Sequence, residues 1–276
     1  MKQFLKSGFI YQNKLFPTDT GSPQGGAISS LYANMALDGL EKVIQDKYHK
    51  NSKGNIENHY RAKTKVNLVR YADDFIITAN SKEIAEELKV IVSKFLSTRG
   101  LMLSEEKTVI THIDNGFDFL GWTFRKFKGK LIVKPSKSSI KNVIRKCSTI
   151  ILKDGKAMKQ SELIRRLNQV IGGWSNYHNH VVASQTFSHI NNILYLLLQR
   201  WAKHRHPNKN KWWRLNRYWH EYNGKPWMFM TDGYTLMNLR RVHIVRHINL
   251  QISKNPFLDK EYFVHRKRIL HSLAAA

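Results

Sequence analysis

Asp73 and Asp74 stand side by side between two short apolar runs, residues 66–71 and 75–78, with only Ala72 before them. That pattern predicts a β-hairpin carrying two carboxylates at its tip. Adjacent carboxylates oppose each other's ionisation, and a divalent cation removes the cost. Mg²⁺ suits the place, because it takes one or two carboxylates, keeps several waters and shares its other positions with substrate phosphates. Two such ions about 4 Å apart can activate a primer hydroxyl and stabilise a leaving pyrophosphate, which is nucleotidyl transfer. Asp-rich turns also arise for purely conformational reasons, so the pair needs support from the rest of the chain.

Gly21-Ser22-Pro23-Gln24-Gly25-Gly26 supplies some of it. Missing side chains let a strand or a base lie against the backbone. Gln24 can hydrogen-bond a base edge or a sugar, and the helix that opens there offers free N–H groups to phosphate. That helix shows Ile28, Leu31, Met35, Leu40 and Val43 at near-helical spacing. After the acidic hairpin, Asn80 is placed to cap a helix with Glu83 as its partner, the apolar stripe being Ile84, Leu88, Ile91 and Phe95 and the stop Gly100. Residues 101–103 and 117–124 read as further strands. Residues 1–127 are therefore helices on an antiparallel sheet, α+β rather than a βαβ array.

From Arg125 the character changes. Stripes Ile140, Val143, Cys147, Ile150 and Leu163, Leu167, Val170 predict two helices, the second broken at Gly172-Gly173. A longer helix over 186–204 turns Phe187, Ile190, Leu194, Leu197 and Trp201 inward. Residues 128–217 form a helical domain on this reading, and 218–276 a mixed basic, aromatic region.

The 276 residues carry a formal net charge of +26, very unevenly placed. Residues 1–120 hold 16 basic and 14 acidic side chains, residues 121–276 hold 30 and 6. Such a surplus must face water and attract polyanions, nucleic acid first among them. Trp201, Trp212, Trp213, Tyr218 and Trp219 interleave with Arg200, Lys203, Arg205, Lys209, Lys211, Arg214 and Arg217. Aromatic rings can stack unpaired bases while cations track phosphates. Trp174 and Trp201 are expected inside, and Trp212 or Trp213 partly accessible. Arg240, Arg241 and Arg246 make a later basic run suited to DNA. One cysteine, Cys147, excludes a disulfide framework. The N-terminus lacks a signal peptide, and the longest apolar run, 193–198, is too short for a membrane span. A reducing compartment follows, a bacterial cytoplasm or an organelle. His243 and His247 lie at i, i+4 without an acid between them, so no metal is expected there. His178/His180 and His204/His206 are read as RNA contacts.

Pro23-Gln24-Gly25-Gly26 with Ala33-Asn34, Arg70-Tyr71-Ala72-Asp73-Asp74-Phe75, Leu103-Ser104-Glu105-Glu106-Lys107-Thr108 and Phe119-Leu120-Gly121 resemble, in order and spacing, four motifs of reverse transcriptases. Gly173-Trp174-Ser175-Asn176-Tyr177, the run 200–209 and Trp212-Trp213 are similar to the maturase region of group II intron-encoded proteins. The resemblance implies part of a right-hand polymerase palm followed by an α-helical thumb and maturase domain. It implies Asp73 and Asp74 as Mg²⁺ ligands, and Gln24, Gly25 and Gly26 near the incoming nucleotide and template. Lys107 would lie near the nucleotide phosphates, and Phe119, Leu120 and Gly121 would grip the primer. Arg165, Arg166, Trp174, Tyr177, Arg200, Lys203, Arg205, Lys209, Lys211, Arg214 and Arg217 would hold intron RNA. Target DNA and dNTPs would join as partners of the working polymerase.

The family places fingers and another metal-binding aspartate well before Pro23, where this sequence has 22 residues. Asp19 lies too close to be that residue. The expectation is a fragment or a half-enzyme that does not polymerise alone, completed by a separate amino-terminal half, or else a non-enzymatic RNA-binding splicing factor with a degenerate palm. Ser30, Gly172 and His178 replace the family's usual proline, arginine and tyrosine. No Cys-pair nuclease segment follows, so DNA cleavage is not expected.

Overall fold

The structure is a computed structural model describing residues 8–16, 29–50, 53–56, 64–222, 224–245, 250–251 and 254–275. The chain divides into two compact units, 1–110 and 111–276. Each is α+β, with every strand pair antiparallel.

The first unit opens with a hairpin, β1 (Phe9–Tyr11) and β2 (Lys14–Phe16). Helices α1 (Ser29–Leu37) and α2 (Leu40–Tyr48) follow, parted by Gly39 in the left-handed region. The single helix expected there is thus two. Leu31, Met35 and Val43 are exposed, while Leu37, Leu40 and Ile44 are buried. The break at Gly39 resets the helical phase, which a period drawn through residues 28–43 cannot show. The acidic hairpin is β3 (Asn67–Tyr71) and β4 (Asp74–Thr78). Helix α3 (Lys82–Ser97) is capped by Ser81, whose hydroxyl accepts from the Ile84 N–H, rather than by Asn80. The Asn80 N–H is engaged with the Thr64 carbonyl at 3.0 Å. Residues 101–103 form no strand. Leu101 N–H returns to the Leu96 carbonyl and Gly100 N–H to Ser97, a Schellman closure that needs the left-handed φ of Gly100. Leu37, Leu40, Ile44, Val66, Leu88, Val92, Phe95 and Leu96 make the core.

Three side chains at the end of α2 join it to its neighbours. Glu87 on α3 pairs with Lys47 and accepts from the Tyr48 hydroxyl at 2.6 Å. Lys47 and Tyr48 hold the Glu87 carboxyl below its ordinary range, and burial together with Glu87 raises the Tyr48 phenol. Buried His49 donates Nε2–H to the Val66 carbonyl at 2.6 Å, fixing the start of β3.

The second unit begins with a meander, β5 (Phe117–Phe119), β6 (Trp122–Phe127) and β7 (Lys130–Pro135). The strand expected over 117–124 is therefore folded on itself at Leu120-Gly121. Helix α4 (Lys137–Thr149) runs into a π-turn, Ile150–Asp154, and α5 (Gln160–His178) and α6 (Ser184–Arg205) follow. Gly172-Gly173 does not break α5. The glycines lie within a helix held on both sides by buried Leu167, Ile171, Ser175 and His178, so packing overrides their poor propensity. Helix α7 (Lys211–Tyr218) leads into a three-stranded sheet of β8 (Trp219–Tyr222), β9 (Lys225–Thr231) and β10 (Tyr234–Thr235), then a 3₁₀ turn, Leu239–Arg241, and α8 (Lys260–Ala275).

The core gathers Val143, Cys147, Ile151, Leu163, Leu167, Phe187, Ile190, Leu194, Leu198 and Trp201 from the helices with Trp219, Phe229, Leu236 and Leu239 from beyond residue 218. Gln160 donates to the carbonyls of Tyr218 and Met230, and Asn168 bridges Thr235 and Met237. Residues 218–241 are thus a wall of the helical unit. By compactness the chain parts after Ile110 rather than after residue 127, which lies in the β6–β7 hairpin. Burial pushes the Cys147 thiol up to about 11, so it stays protonated and packs as a small apolar group.

Candidate nucleic-acid interface

The acidic hairpin turns through Ala72 and Asp73, with Tyr71 opposite Asp74. Ala72 sits at φ 55, a position most residues avoid. Arg70 holds it there: one guanidinium nitrogen donates to the Ala72 carbonyl at 3.0 Å and to Asn34 Oδ1 on α1 at 2.8 Å. Both carboxylates are exposed. Among the described residues no three or more His, Cys, Asp or Glu side chains gather. Two adjacent hard oxygen donors facing solvent fit Mg²⁺ that keeps waters and takes substrate phosphate, not a cage made by protein alone. Lys107 is exposed in a turn closed by its N–H on the Ser104 carbonyl. Gln24, Gly25 and Gly26 lie outside the described residues.

In the second unit Leu120 and Gly121 have φ 48 and 79, the paired positive values of a two-residue hairpin turn. Tyr177 donates its hydroxyl to the Leu120 carbonyl at 2.7 Å and stacks on Trp122 with centroids 4.8 Å apart. Ser136 N–H reaches the Gly121 carbonyl at 2.9 Å. The Phe119-Leu120-Gly121 turn is thereby fastened to the start of α4 and the end of α5. Trp174 donates its indole N–H to Ser139 Oγ at 3.0 Å. Trp174 and Tyr177, singled out as RNA contacts, both have internal work in this clamp. Tyr177→Phe keeps the stack and loses one hydrogen bond, so unfolding in urea should show a loss of about 1 kcal/mol. An unchanged midpoint would mean that this hydrogen bond does not hold the turn.

At its centre is His178, also read from the sequence as an RNA contact but 1% exposed. Its Nδ1 accepts from the Trp122 indole at 2.9 Å, and its Nε2 meets Ser139 Oγ at 3.0 Å. Because an indole N–H can only donate, Nδ1 is unprotonated and the ring is the neutral Nε2–H tautomer. Burial lowers its pKa to about 4. These partners come from β6 and α4, far away in sequence. The available hint was helical spacing, since Ile171, Ser175 and His178 share the buried face of α5.

The remaining cations divide by partner. Arg165 and Arg166 both grip Glu162. Arg205 donates to the Lys156 and Met158 carbonyls and lies over Trp201, while Arg214 donates to the Lys209 carbonyl. Lys209 lies over the Trp213 ring. Arg205, Arg217, Lys209 and Arg214 all act on His206, where desolvation first and then these charges lower the imidazole pKa. The corner between α6 and α7 is thus strongly cationic. Arg200, Lys203, Lys211 and Arg217 are exposed. Trp201 is buried, Trp212 and Trp213 are exposed and Trp174 is intermediate. Arg240 is tied to Asn192 Oδ1 at 2.6 Å, Arg241 is exposed, and Arg246 lies outside the described residues. His243 stands in an irregular stretch, not a helix, and His247 lies outside the described residues.

Comparison with known proteins gives these features a setting. The reverse transcriptase (RNA-dependent DNA polymerase) family matches residues 1–124, and the group II intron maturase-specific domain matches residues 140–219. The two matches, in this order along one chain, fit a group II intron reverse transcriptase/maturase. The chain is 31% identical over 186 residues to the group II intron-encoded protein LtrA of Lactococcus lactis, covering 49% of this chain and 31% of that protein. Protein YkfC of Escherichia coli is 28% identical over 138 residues, covering 42% and 35%. Maturase-like protein 1 of Euglena longa is 26% identical over 157 residues, covering 55% and 29%. The matches span about a third of the length of these relatives. The maturase match covers α4 to α7, the helices that carry the cationic corner.

Proposed function

We propose that this chain binds intron RNA through its second unit in support of splicing and retrohoming, and that its acidic hairpin serves RNA-directed DNA synthesis. The observation that carries the reading is the cationic, aromatic corner of α6 and α7 within the maturase match. There the cations meet phosphates, and the clamped Phe119-Leu120-Gly121 turn offers a rigid edge for a primer. Asp73 and Asp74 would hold Mg²⁺, which supplies Lewis-acid stabilisation of phosphate charge when bound. Arg70 fixes the turn from which both carboxylates project, and Lys107 offers a cation to nucleotide phosphate. The partners in this reading are intron RNA, then target DNA and dNTPs where the polymerase is complete, with a separate amino-terminal half able to complete it. The setting is a bacterial cytoplasm or an organelle.

A second reading is a splicing factor that binds RNA without polymerising, favoured by the exposed cations Arg200, Lys203, Lys211 and Arg217 lying within the maturase match. Primer extension on an RNA template with Mg²⁺, with the chain and its Asp73→Asn variant, separates the two. Extension lost in the variant assigns synthesis to the hairpin. Tight, salt-sensitive RNA binding without extension in either assigns binding alone. Absence of RNA binding would sink both.

A further inference from the structure

The β8–β9 pairing slips. Trp219 faces Phe229 and His220 faces Met228, but Tyr222 faces Lys225. Glu221 is therefore opposed by two residues, Pro226 and Trp227, a β-bulge on β9. Proline has no N–H to give the ladder, which makes it a natural bulge residue. Trp227 takes φ 60, the left-handed conformation usual for glycine at such a bulge and an outlier for a bulky side chain. Bulges re-aim side chains, and strain of this kind gathers at ligand sites. Here the indole is brought against Trp212 of α7, with ring centroids 6.5 Å apart and planes at 53°. Trp212 is 67% exposed and Trp227 50%. Two large rings from different elements thus form an open wedge in water beside the cationic corner.

We propose that Trp212 and Trp227 form a clamp for one unpaired base of a bound RNA strand. The inference rests on the RNA-binding reading above and adds what is recognised, a single-stranded nucleotide rather than a duplex. Charge gives the occupant. Lys211 is next to Trp212 in α7, and Lys209 lies over Trp213, which meets His206 at 4.8 Å among Arg205, Arg214 and Arg217. Glu221 faces the bulge from β8. A strand would therefore run its phosphates on the Lys209–Lys211 side and turn a base toward Trp227. Base faces stack on indole whatever their sequence, whereas a base in a duplex is already stacked.

The test is fluorescence anisotropy on the full chain with labelled single-stranded oligo(A) RNA and an RNA duplex of equal length. Trp212→Ala and Trp227→Gly should each weaken single-strand binding by about tenfold. Duplex binding should hold within about twofold, and the salt slope should not move because no cation is removed. Trp212→Tyr should retain most of the affinity. Trp227→Gly is its own folding control, since glycine suits φ 60 and the variant should melt no lower than the parent. Single-strand affinity unchanged in both variants, or duplex affinity falling equally, overturns the clamp while leaving RNA binding intact. A parent that binds neither RNA overturns the clamp and the functional reading together.

Discussion

Replacing Arg200, Lys203, Lys211 and Arg217 together by alanine will weaken RNA binding by on the order of a hundredfold at moderate salt, and will lower the log–log salt slope by about three. All are exposed cations on α6 and α7, and no carboxylate is paired with them among the ion pairs of the described residues. A cation that neutralises a phosphate releases condensed counterions, so the fall in slope measures how many phosphates are no longer neutralised. Exposed positions of this kind change stability by about 0.5 kcal/mol or less each, so folding should survive. The matched comparison is Arg165→Ala with Arg166→Ala. Both guanidiniums already lie on the Glu162 carboxylate, whose pKa they lower, Arg166 first. Two cations sharing one carboxylate can spare only about one positive charge for phosphate, so the slope should change by about one or less. Titrations at several salt concentrations decide the matter. Equal slopes for the parent and the fourfold variant would mean that RNA binds elsewhere.

The second large effect is on stability against pH. His178 is neutral in the folded chain, with a pKa of about 4 against 6.5 for the free side chain, and desolvation is the cause. Protonation would put hydrogen on Nδ1, against the Trp122 N–H that it accepts. Below pH 6.5 the unfolded chain takes up a proton that the folded chain refuses. Stability from this residue is therefore complete above pH 6.5 and declines as pH falls toward 4, at most by about 1.4 kcal/mol per pH unit. His178→Gln cannot titrate. Its denaturation free energy should start lower at about pH 7.5 and fall less steeply between about pH 6.5 and 4.5 than that of the parent. Parallel pH profiles would show that His178 does not sense pH through this network. Its partners Trp122, Trp174 and Ser139 also position the Leu120-Gly121 turn through Tyr177, so acid should loosen this turn before the helical core.

The amino-acid order alone determined the acidic hairpin, because two short apolar runs parted only by Ala72-Asp73-Asp74 leave one pairing, and the observed strands match it to within a residue. It likewise determined the inward face of α6, where Phe187, Ile190, Leu194, Leu197 and Trp201 are all buried as local periodicity requires. Charge segregation needs no structure at all. The tertiary structure decided the features that depend on long-range partners. It split the first helix at Gly39, carried α5 through Gly172-Gly173, and made residues 218–241 part of the helical core. It also gave Trp174, Tyr177 and His178 internal partners that lie 35 to 57 residues away. The same holds for Trp227, whose direction follows from a slip in register against β8. Periodicity reports which side of an element is apolar. Which polar groups meet across elements is fixed by packing, because a buried donor must find its acceptor wherever the folded chain brings one.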